Sequence, residues 1–366
     1  MKVSTGLAIG KSAKPELASQ AVAAAMAKAN IHTPSSVLLF LTSEFAANPQ
    51  SAIKAAAKTA SCTQIIGCSA SGIFTEEDWV LDSAAAAAMV FSDDFKLAVT
   101  GEHCITDTIL TIAAPNAINS TWLNMPISGR AVARFGGVSG DATGHGPFSV
   151  WQNGKGATQG FCELVIQNAK AAIGASHGLK MISKPQKITK TNGHDMCSIA
   201  NIHALLSLFS AWQKHSKSPI PFHQLVAVYS SKATQIERGD YNIASIISGN
   251  EKDHSVTLTK TLKEGEWLCW ALRDIDAAQI DIVKTASELK QQLSVEPAFA
   301  LMFSCLGRGP YFYDGTDQDL ALLKALFPKL PMIGFYGNGE IAPMHGVNEL
   351  LQYSAVLGLF AHSPLI

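Results

Sequence analysis

The amino-acid sequence predicts an α/β fold built from two related β-α-β-α-β-β units, with mixed sheets flanked by helices and a pseudo-twofold arrangement. Three observations carry that prediction. Strand and helix signals alternate through residues 1–91. The same six elements recur in the same order over residues 267–360. Between them, residues 92–266 read as an antiparallel, hairpin-rich middle segment.

In the first unit, KVSTGLAIG reads as a strand and PELASQAVAAAMAKAN as a helix. Its proline sits in the first turn, where the missing N–H is not needed. SVLLFLTSEF is an apolar strand running into a polar loop, and NPQSAIKAAAKTA is a helix started by Asn48 and Pro49. TQIIGCSASGIF and SAAAAAMVF follow as strands. The second is so rich in alanine that its neighbours decide the reading.

In the last unit, WLCWALRD is the first strand and IDAAQIDIVKTASELKQQL the first helix, with Ile280, Val283, Ala286 and Leu289 on one stripe. FALMFSCLGRG is a strand opening into a loop, and DQDLALLKALF a helix stopped by Pro328. PMIGFYGNGEI and YSAVLGLF close the unit. The sharpest overlap is Ile66-Gly67 followed by Gly72, against Ile333-Gly334 followed by Gly339. Such parallel strands with helical crossovers imply sheets covered by helices, with ligands where strand ends open into loops. The SEF, GCSASG, GRG and GNGE loops all occupy such ends.

The middle alternates short strands with glycine turns in ISGRAVARFGGVSGDATGHG and FSVWQNGKGATQGFCELVI. ASHGLKMISKPQKITKTNGHD continues that style and holds the expected boundary, near residues 176–186. A helix, NIHALLSLFSAWQKH, then opens the second half.

A formal charge of −1 gives no reason to expect nucleic acid as a partner. Only five of the 28 basic residues are arginines, and three of those lie beside glycine-rich stretches. No apolar run approaches the roughly 18–20 residues that a membrane-spanning helix needs, so no membrane insertion is expected. The seven cysteines are scattered and never in CxxC spacing. They read as reduced thiols of a cytoplasmic protein, with no disulfide framework and no metal site.

Several enzyme-like patterns fail. GLAIGKS is one residue short of a phosphate-binding loop, and GASHG at 174–178 lacks a strand-to-helix elbow. No nucleophile is found with its base, so no catalytic residues and no enzyme are expected.

VLLFLTSEF, IIGCSASGIF and FGGVSGD, with KITKTNGHD, FSCLGRGPYFY and GFYGNGEIAP, resemble the FIST family of sensory domains. The first three look like its N-terminal module and the rest like its C-terminal one, which places the modules at 1–180 and 181–366. The resemblance implies a small-molecule sensor, with amino acids proposed as ligands, acting in trans on a kinase, chemoreceptor or other regulator. It also implies a stand-alone protein, since the chain shows no output domain.

Read for their chemistry, the loops suit a zwitterion. Backbone N–H groups of glycine-flanked turns, Gly337 among them, converge on a carboxylate that Arg308 could clamp. Glu340 could take an ammonium group, and Asn338 could donate and accept. Asp141 and Ser69 could close the cleft from the N-terminal half, although an aspartate after glycine is also an ordinary turn former. Cys305 reads as a core residue or, beside Arg308, as a reactive thiol. Some FIST-containing proteins are similar to haem-binding nitric oxide sensors, and His177, His194 or His145 could then be the axial ligand. A third reading is a protein-interaction scaffold with no small ligand.

Overall fold

Most of the first strands and helices form from the runs expected of them, but TQIIGCSASGIF divides into two strands and a further one forms at Trp79–Leu81. They are β1 (Val3–Gly10), α1 (Glu16–Ala29), β2 (Ser36–Thr42), α2 (Gln50–Ala60), β3 (Ile65–Ala70), β4 (Gly72–Thr75), β5 (Trp79–Leu81) and β6 (Ala84–Phe91). In this computed structural model, which describes residues 3–92, 95–100 and 107–363, Pro15 precedes α1 and Asn30 ends it in the left-handed conformation. The alanines of β6 alternate between two apolar layers. Ala85 and Ala87 face the centre of the unit, and Ala86 and Ala88 face α1 and α2.

The middle departs from expectation. It continues with β7 (Lys96–Val99), β8 (Thr108–Ala113), α3 (Ser120–Leu123), β9 (Ala133–Val138), β10 (Val150–Gln152), β11 (Lys155–Gly156), β12 (Phe161–Gln167) and β13 (Ala169–Ser176). β8 and β9 pair in parallel, so ARFGGV is no hairpin strand. Gly136 lies within the sheet, opposite Thr111, where the sequence suggested a turn.

After His177 the chain enters a second compact unit, Gly178–Ala278; the first unit comprises Met1–His177 and Gln279–Ile366. The second unit holds β14 (Leu179–Met181), β15 (Gln186–Asn192), β16 (Asp195–Ile199), β17 (Ile202–His203), α4 (Ala204–His215), β18 (Leu225–Ser230), α5 (Ala233–Arg238), β19 (Asn242–Gly249), β20 (Val256–Leu258) and β21 (Trp267–Arg273). The pairing runs β21-β15-β16-β20-β19-β18 and returns to β21. Antiparallel pairing follows the hairpin pattern of the sequence; closure into a barrel is not expected from it. Leu205, Leu208 and Trp212 of α4 share its core with Leu268 and Trp270.

α6 (Ile275–Leu293) carries the chain back, followed by β22 (Phe299–Cys305), α7 (Gln318–Leu326), β23 (Met332–Gly337), β24 (Glu340–Met344), β25 (Val347–Leu351) and β26 (Ala355–His362). Two expectations are corrected here. WLCWALRD is a strand, β21, but it pairs within the barrel. The edge position beside β26 belongs to β13. In α6 the buried stripe is Ala278, Ile282, Ala286, Leu289 and Leu293, while Ile280 is 70% exposed. Spacings of three and four fit both stripes, and packing selected the one with more small residues.

The first unit contains three six-stranded sheets with one strand order: β1-β6-β2-β3-β10-β11, β7-β12-β8-β9-β24-β25 and β13-β26-β22-β23-β4-β5. In each, the third and fourth strands are parallel and the other pairings are antiparallel. The two ends therefore repeat as the sequence indicated, and the middle adds a third copy. Each copy hands its closing hairpin to another sheet: β4-β5 to the third, β10-β11 to the first and β24-β25 to the second. Three gifts close a ring.

Equivalent residues can be named from the parallel registers. Gly67 lies opposite Leu39, Gly136 opposite Thr111 and Gly334 opposite Met302. At all three glycines an added Cβ would lie 1.8 Å from the facing carbonyl oxygen, closer than any side chain permits. One residue further along β2, β8 and β22 stand Phe40, Ile112 and Phe303, which share a single core with Leu38, Leu110 and Leu301. Each sheet thus turns one face to a common centre. Its other face packs against its own helices: α1 and α2 on the first sheet, α6 and α7 on the third, and α3 on the second. Among the described residues, no helix is long and apolar enough to cross a membrane.

Candidate functional site

The three central strands β3, β9 and β23 end in loops, and counting four residues on from each equivalent glycine gives Ser71, Gly140 and Asn338. These three meet. A Cβ added at Gly140 would lie 2.9 Å from Asn338 Oδ1 and 3.0 Å from Ser71 Oγ. Backbone bonds tie the loops together: Ser71 N–H donates to Tyr336 O, Asn338 N–H to Val138 O, and Val138 N–H to Gly339 O. Ser71 Oγ is buried and has no hydrogen-bond partner among the described residues. Buried polar atoms are normally paired, which sets this hydroxyl apart.

Where each copy's closing hairpin joins the neighbouring sheet, the copies differ in chemistry. Ile73, Val150 and Glu340 all pair with equivalent positions of the neighbouring sheet: Phe335, Cys68 and Gly137. Two copies thus place an aliphatic side chain where the third places a carboxyl. Glu340 is fully buried. Its Oε2 accepts from Ser354 N–H at 3.3 Å, and Oε1 has no hydrogen-bond partner among the described residues. Burial pushes this carboxyl well above the usual carboxylate range, against the opposing pull of Ser354 and Arg308.

Arg308 shows the same asymmetry. A single turn of 3-10 helix follows β2, β8 and β22, spanning Ser43–Phe45, Pro115–Ala117 and Leu306–Arg308. The last residues are Phe45, Ala117 and Arg308, so only the third copy has a charge there. Arg308 is 2% exposed and binds Asp319 with two hydrogen bonds. It also donates to Tyr313 Oη at 3.2 Å and to the carbonyl and hydroxyl oxygens of Ser176 at 3.2 and 3.0 Å. The guanidinium is thus held by protein acceptors on several sides, and it faces Glu340 as a through-space charge.

The other expected site residues fall into distinct places. Ser69 is buried; its Oγ accepts from Ser149 N–H, and its carbonyl from Ser139 Oγ. Asp141 accepts from Thr143 Oγ1 and from Gly144 N–H, fastening its own loop. Burial pushes the Asp141 carboxyl up, but bonds from Thr143, Gly144 and Gly146 hold it below the usual range. Gly337 ends β23, and a Cβ there would lie 2.1 Å from Val138 O. Cys305 is 8% exposed at the end of β22, placed as a core residue.

The three histidines considered as axial ligands are dispersed. His145 is exposed in the loop after Asp141. His194 lies in the β15–β16 turn of the second unit, its Nδ1 3.0 Å from Leu258 O. His177 lies beside Ser176, its backbone N–H donating to Asp281 at 2.7 Å. Burial pushes the His177 imidazole down to about 4, against the pull of Asp281 and with Arg308 and His345 pressing the same way. Among the described residues, no group of three or more His, Cys, Asp or Glu side chains is placed to hold a metal ion.

The sequence singled out Asn338 and Glu340 through the GNGE run but not Ser71, Gly140 or Asp319, which the structure places beside them or beside Arg308. Ser71 and Gly140 stand the same four residues beyond Gly67 and Gly136 as Asn338 does beyond Gly334. The overlap of Gly67 with Gly334 sets Ser71 against Asn338, and the third copy adds Gly140.

A FIST N domain matches residues 35–200 and a FIST C domain matches residues 206–343. An uncharacterized protein of Mycobacterium tuberculosis, strain H37Rv, is 22% identical over 242 residues, covering 65% of this chain. The chain spans 63% of that relative's length. An uncharacterized protein of Mycobacterium bovis is 22% identical over 320 residues, covering 81% of this chain and 82% of the relative.

Proposed function

The chain belongs to the FIST family, whose domains are described as small-ligand sensors in signal transduction, and on that premise we propose a sensor whose ligand binds where Ser71, Gly140 and Asn338 meet. The ligand is a small polar metabolite of the amino-acid type, and the bound state is read by a signalling partner in trans.

One observation carries this reading: the third copy buries Arg308 and Glu340 at positions where its two sister copies hold Phe45 and Ala117, and Ile73 and Val150. Burying a charge costs several kcal/mol, and apolar replacements are often neutral or stabilising. The fold itself evidently accepts apolar residues there, so the polar set is retained for another reason. Asn338 supplies a donor and an acceptor, Ser71 an unengaged hydroxyl, and Glu340 a carboxyl kept neutral by burial that can donate its proton in a hydrogen bond. Arg308 and its acceptors set the local potential without themselves clamping the ligand.

Titration calorimetry over amino acids and small carboxylates tests the proposal on wild type and on Asn338→Ala, Ser71→Ala and Gly140→Val. Saturable binding of one compound, weakened at least tenfold by Gly140→Val, is expected. Binding that ignores all three substitutions places the ligand elsewhere.

A further inference from the structure

We propose that Tyr353 is the gate of the ligand site, a ring that closes over Glu340 and swings aside to admit what binds; the guest itself rests on the sensor reading above. Leu351 pairs with Glu340 across β24 and β25, and Ser354 donates its N–H to the Glu340 carboxyl. Only Gln352 and Tyr353 separate those two contacts, so this short turn wraps the buried acid. Ser354 is itself fully buried, and its carbonyl accepts from Cys305 N–H at 3.0 Å, which fixes the turn to the end of β22. Gln352 is exposed and Tyr353 half-buried, so the tyrosine is the layer between this turn and solvent.

The sister copies show that the fold does not require this arrangement. In equivalent registers Leu41, Ala113 and Ser304 face Ala86, Phe161 and Ala355. Two residues earlier stand Ala84, Gln159 and Tyr353, and one residue earlier Ala85, Gly160 and Ser354. Of Ala84, Gln159 and Tyr353, only Tyr353 is left-handed, at φ 57°. Glycine takes that conformation freely, whereas a bulky aromatic residue is strained in it. Among the described non-glycine residues with positive φ, Tyr353 carries the largest side chain. Such strain persists only where the surroundings hold it, and it favours leaving the strained position once they yield.

The seat of the ring is matched to it. The middle residues of the three 3-10 turns are Glu44, Asn116 and Gly307. A Cβ at Gly307 would lie 2.6 Å from Tyr353 Cδ1 and Cε1, so the ring lies where the sister copies begin a side chain. Gly307 precedes Arg308, and Tyr353 precedes the residue bonded to Glu340. One ring thus sits beside both groups that set the third copy apart. A bare glycine offers the ring a flat seat with no side chain to interlock, which leaves it able to lift.

Amide hydrogen exchange of the full chain, read by NMR, tests the gate without any ligand. The Ser354 amide is compared with that of Leu357, inside β26, in wild type, Tyr353→Gly, Tyr353→Phe and Gly307→Ala. Local opening exposes one amide, whereas lost stability exposes them together. Ser354 exchange should rise at least tenfold in Tyr353→Gly and in Gly307→Ala, whose added methyl displaces the ring, while Leu357 keeps its wild-type rate. Tyr353→Phe keeps the ring and should stay within threefold of wild type at both amides. Unchanged Ser354 exchange in Tyr353→Gly, a rise shared equally by Leu357, a tenfold rise in Tyr353→Phe, or a Tyr353→Gly chain that does not fold would each overturn the gate. Calorimetric titration with the twenty standard amino acids is read separately: no binding to wild type would remove the sensor assignment and leave the exchange result standing.

Discussion

Arg308 faces Asp319 through two parallel hydrogen bonds, Nε to Oδ2 at 2.9 Å and Nη2 to Oδ1 at 3.2 Å, with both side chains at most 2% exposed. Tyr313 Oη donates to the same carboxylate at 2.7 Å. Breaking such a pair from one side leaves an uncompensated buried charge, at a cost of about 3–5 kcal/mol. Asp319→Asn and Arg308→Met should therefore each destabilise the protein by that amount in urea unfolding. The double variant Arg308→Met/Asp319→Leu should recover most of the loss, because neither charge remains. If the double variant is as unstable as the sum of the singles, the two side chains are not coupled as the geometry requires.

The three glycines opposite Leu39, Thr111 and Met302 make a sharper prediction. Each leaves 1.8 Å between a would-be Cβ and a carbonyl oxygen, so main chain must move to admit alanine. Gly67→Ala, Gly136→Ala and Gly334→Ala should each cost at least about 3 kcal/mol, the range seen where native geometry excludes the new side chain. Gly156→Ala has open space around it and should change the melting temperature by no more than about 2 °C. Circular-dichroism melts of the four variants check this. A well-folded Gly136→Ala protein would separate the middle copy from the other two.

That middle copy also shows where the sequence stops being legible. Gly67 and Gly334 are visible because each follows isoleucine and precedes a second glycine by five residues. Gly136 follows Phe135, and five residues on stands Asp141, so the pattern is lost. The crossover signals fail as well. α3 has four residues where α2 has 11. The third copy misled differently: its first strand, β13, and its first helix, α6, are separated by the whole second unit, so the strand nearest α6 in sequence was assigned in its place. Asn338 and Glu340 were legible from their glycines. The engagement of Arg308 with Asp319 was not, because an arginine in a GRG loop reads the same whether it faces a ligand or a helix.

Asp317 and His177 oppose each other in pH dependence. Burial pushes Asp317 up to about 6, with Asp319 adding to the shift and Tyr336 and Leu320 pulling against it. From its ordinary 3.8 up to 6 the folded chain holds the proton more tightly than the unfolded chain, so stability falls as pH rises. His177 is pushed down to about 4 from 6.5, so the unfolded chain takes the proton and stability falls as pH drops through that window. Each shift spans roughly two units, worth about 2–3 kcal/mol in magnitude. In wild type these two contributions cancel between pH 4 and 6, leaving the slope to other groups, Glu340 among them. Relative to wild type, Asp317→Asn should lose stability on acidification over that interval, and His177→Gln should gain it. Parallel slopes in both variants would show that neither group carries the shift assigned to it.

Glu340 separates a structural carboxyl from a ligand-binding one. Because burial raises its affinity for protons in the folded state, the folded chain keeps the acid neutral while the unfolded chain ionises near 4.5. Stability therefore declines as pH rises above that value, until the buried group itself ionises. Glu340→Gln keeps the shape and cannot ionise. Its melting temperature should match or exceed that of wild type at pH 8, and the decline toward alkaline pH should be shallower. An amide also donates and accepts, but it cannot present an O–H to an acceptor on the ligand. Binding of the responsive metabolite should accordingly weaken about tenfold in Glu340→Gln while the fold holds. A Gln variant with wild-type affinity would leave Glu340 outside the binding site, and one that unfolds at pH 8 would make the carboxyl a structural necessity that Ile73 and Val150 do not suggest.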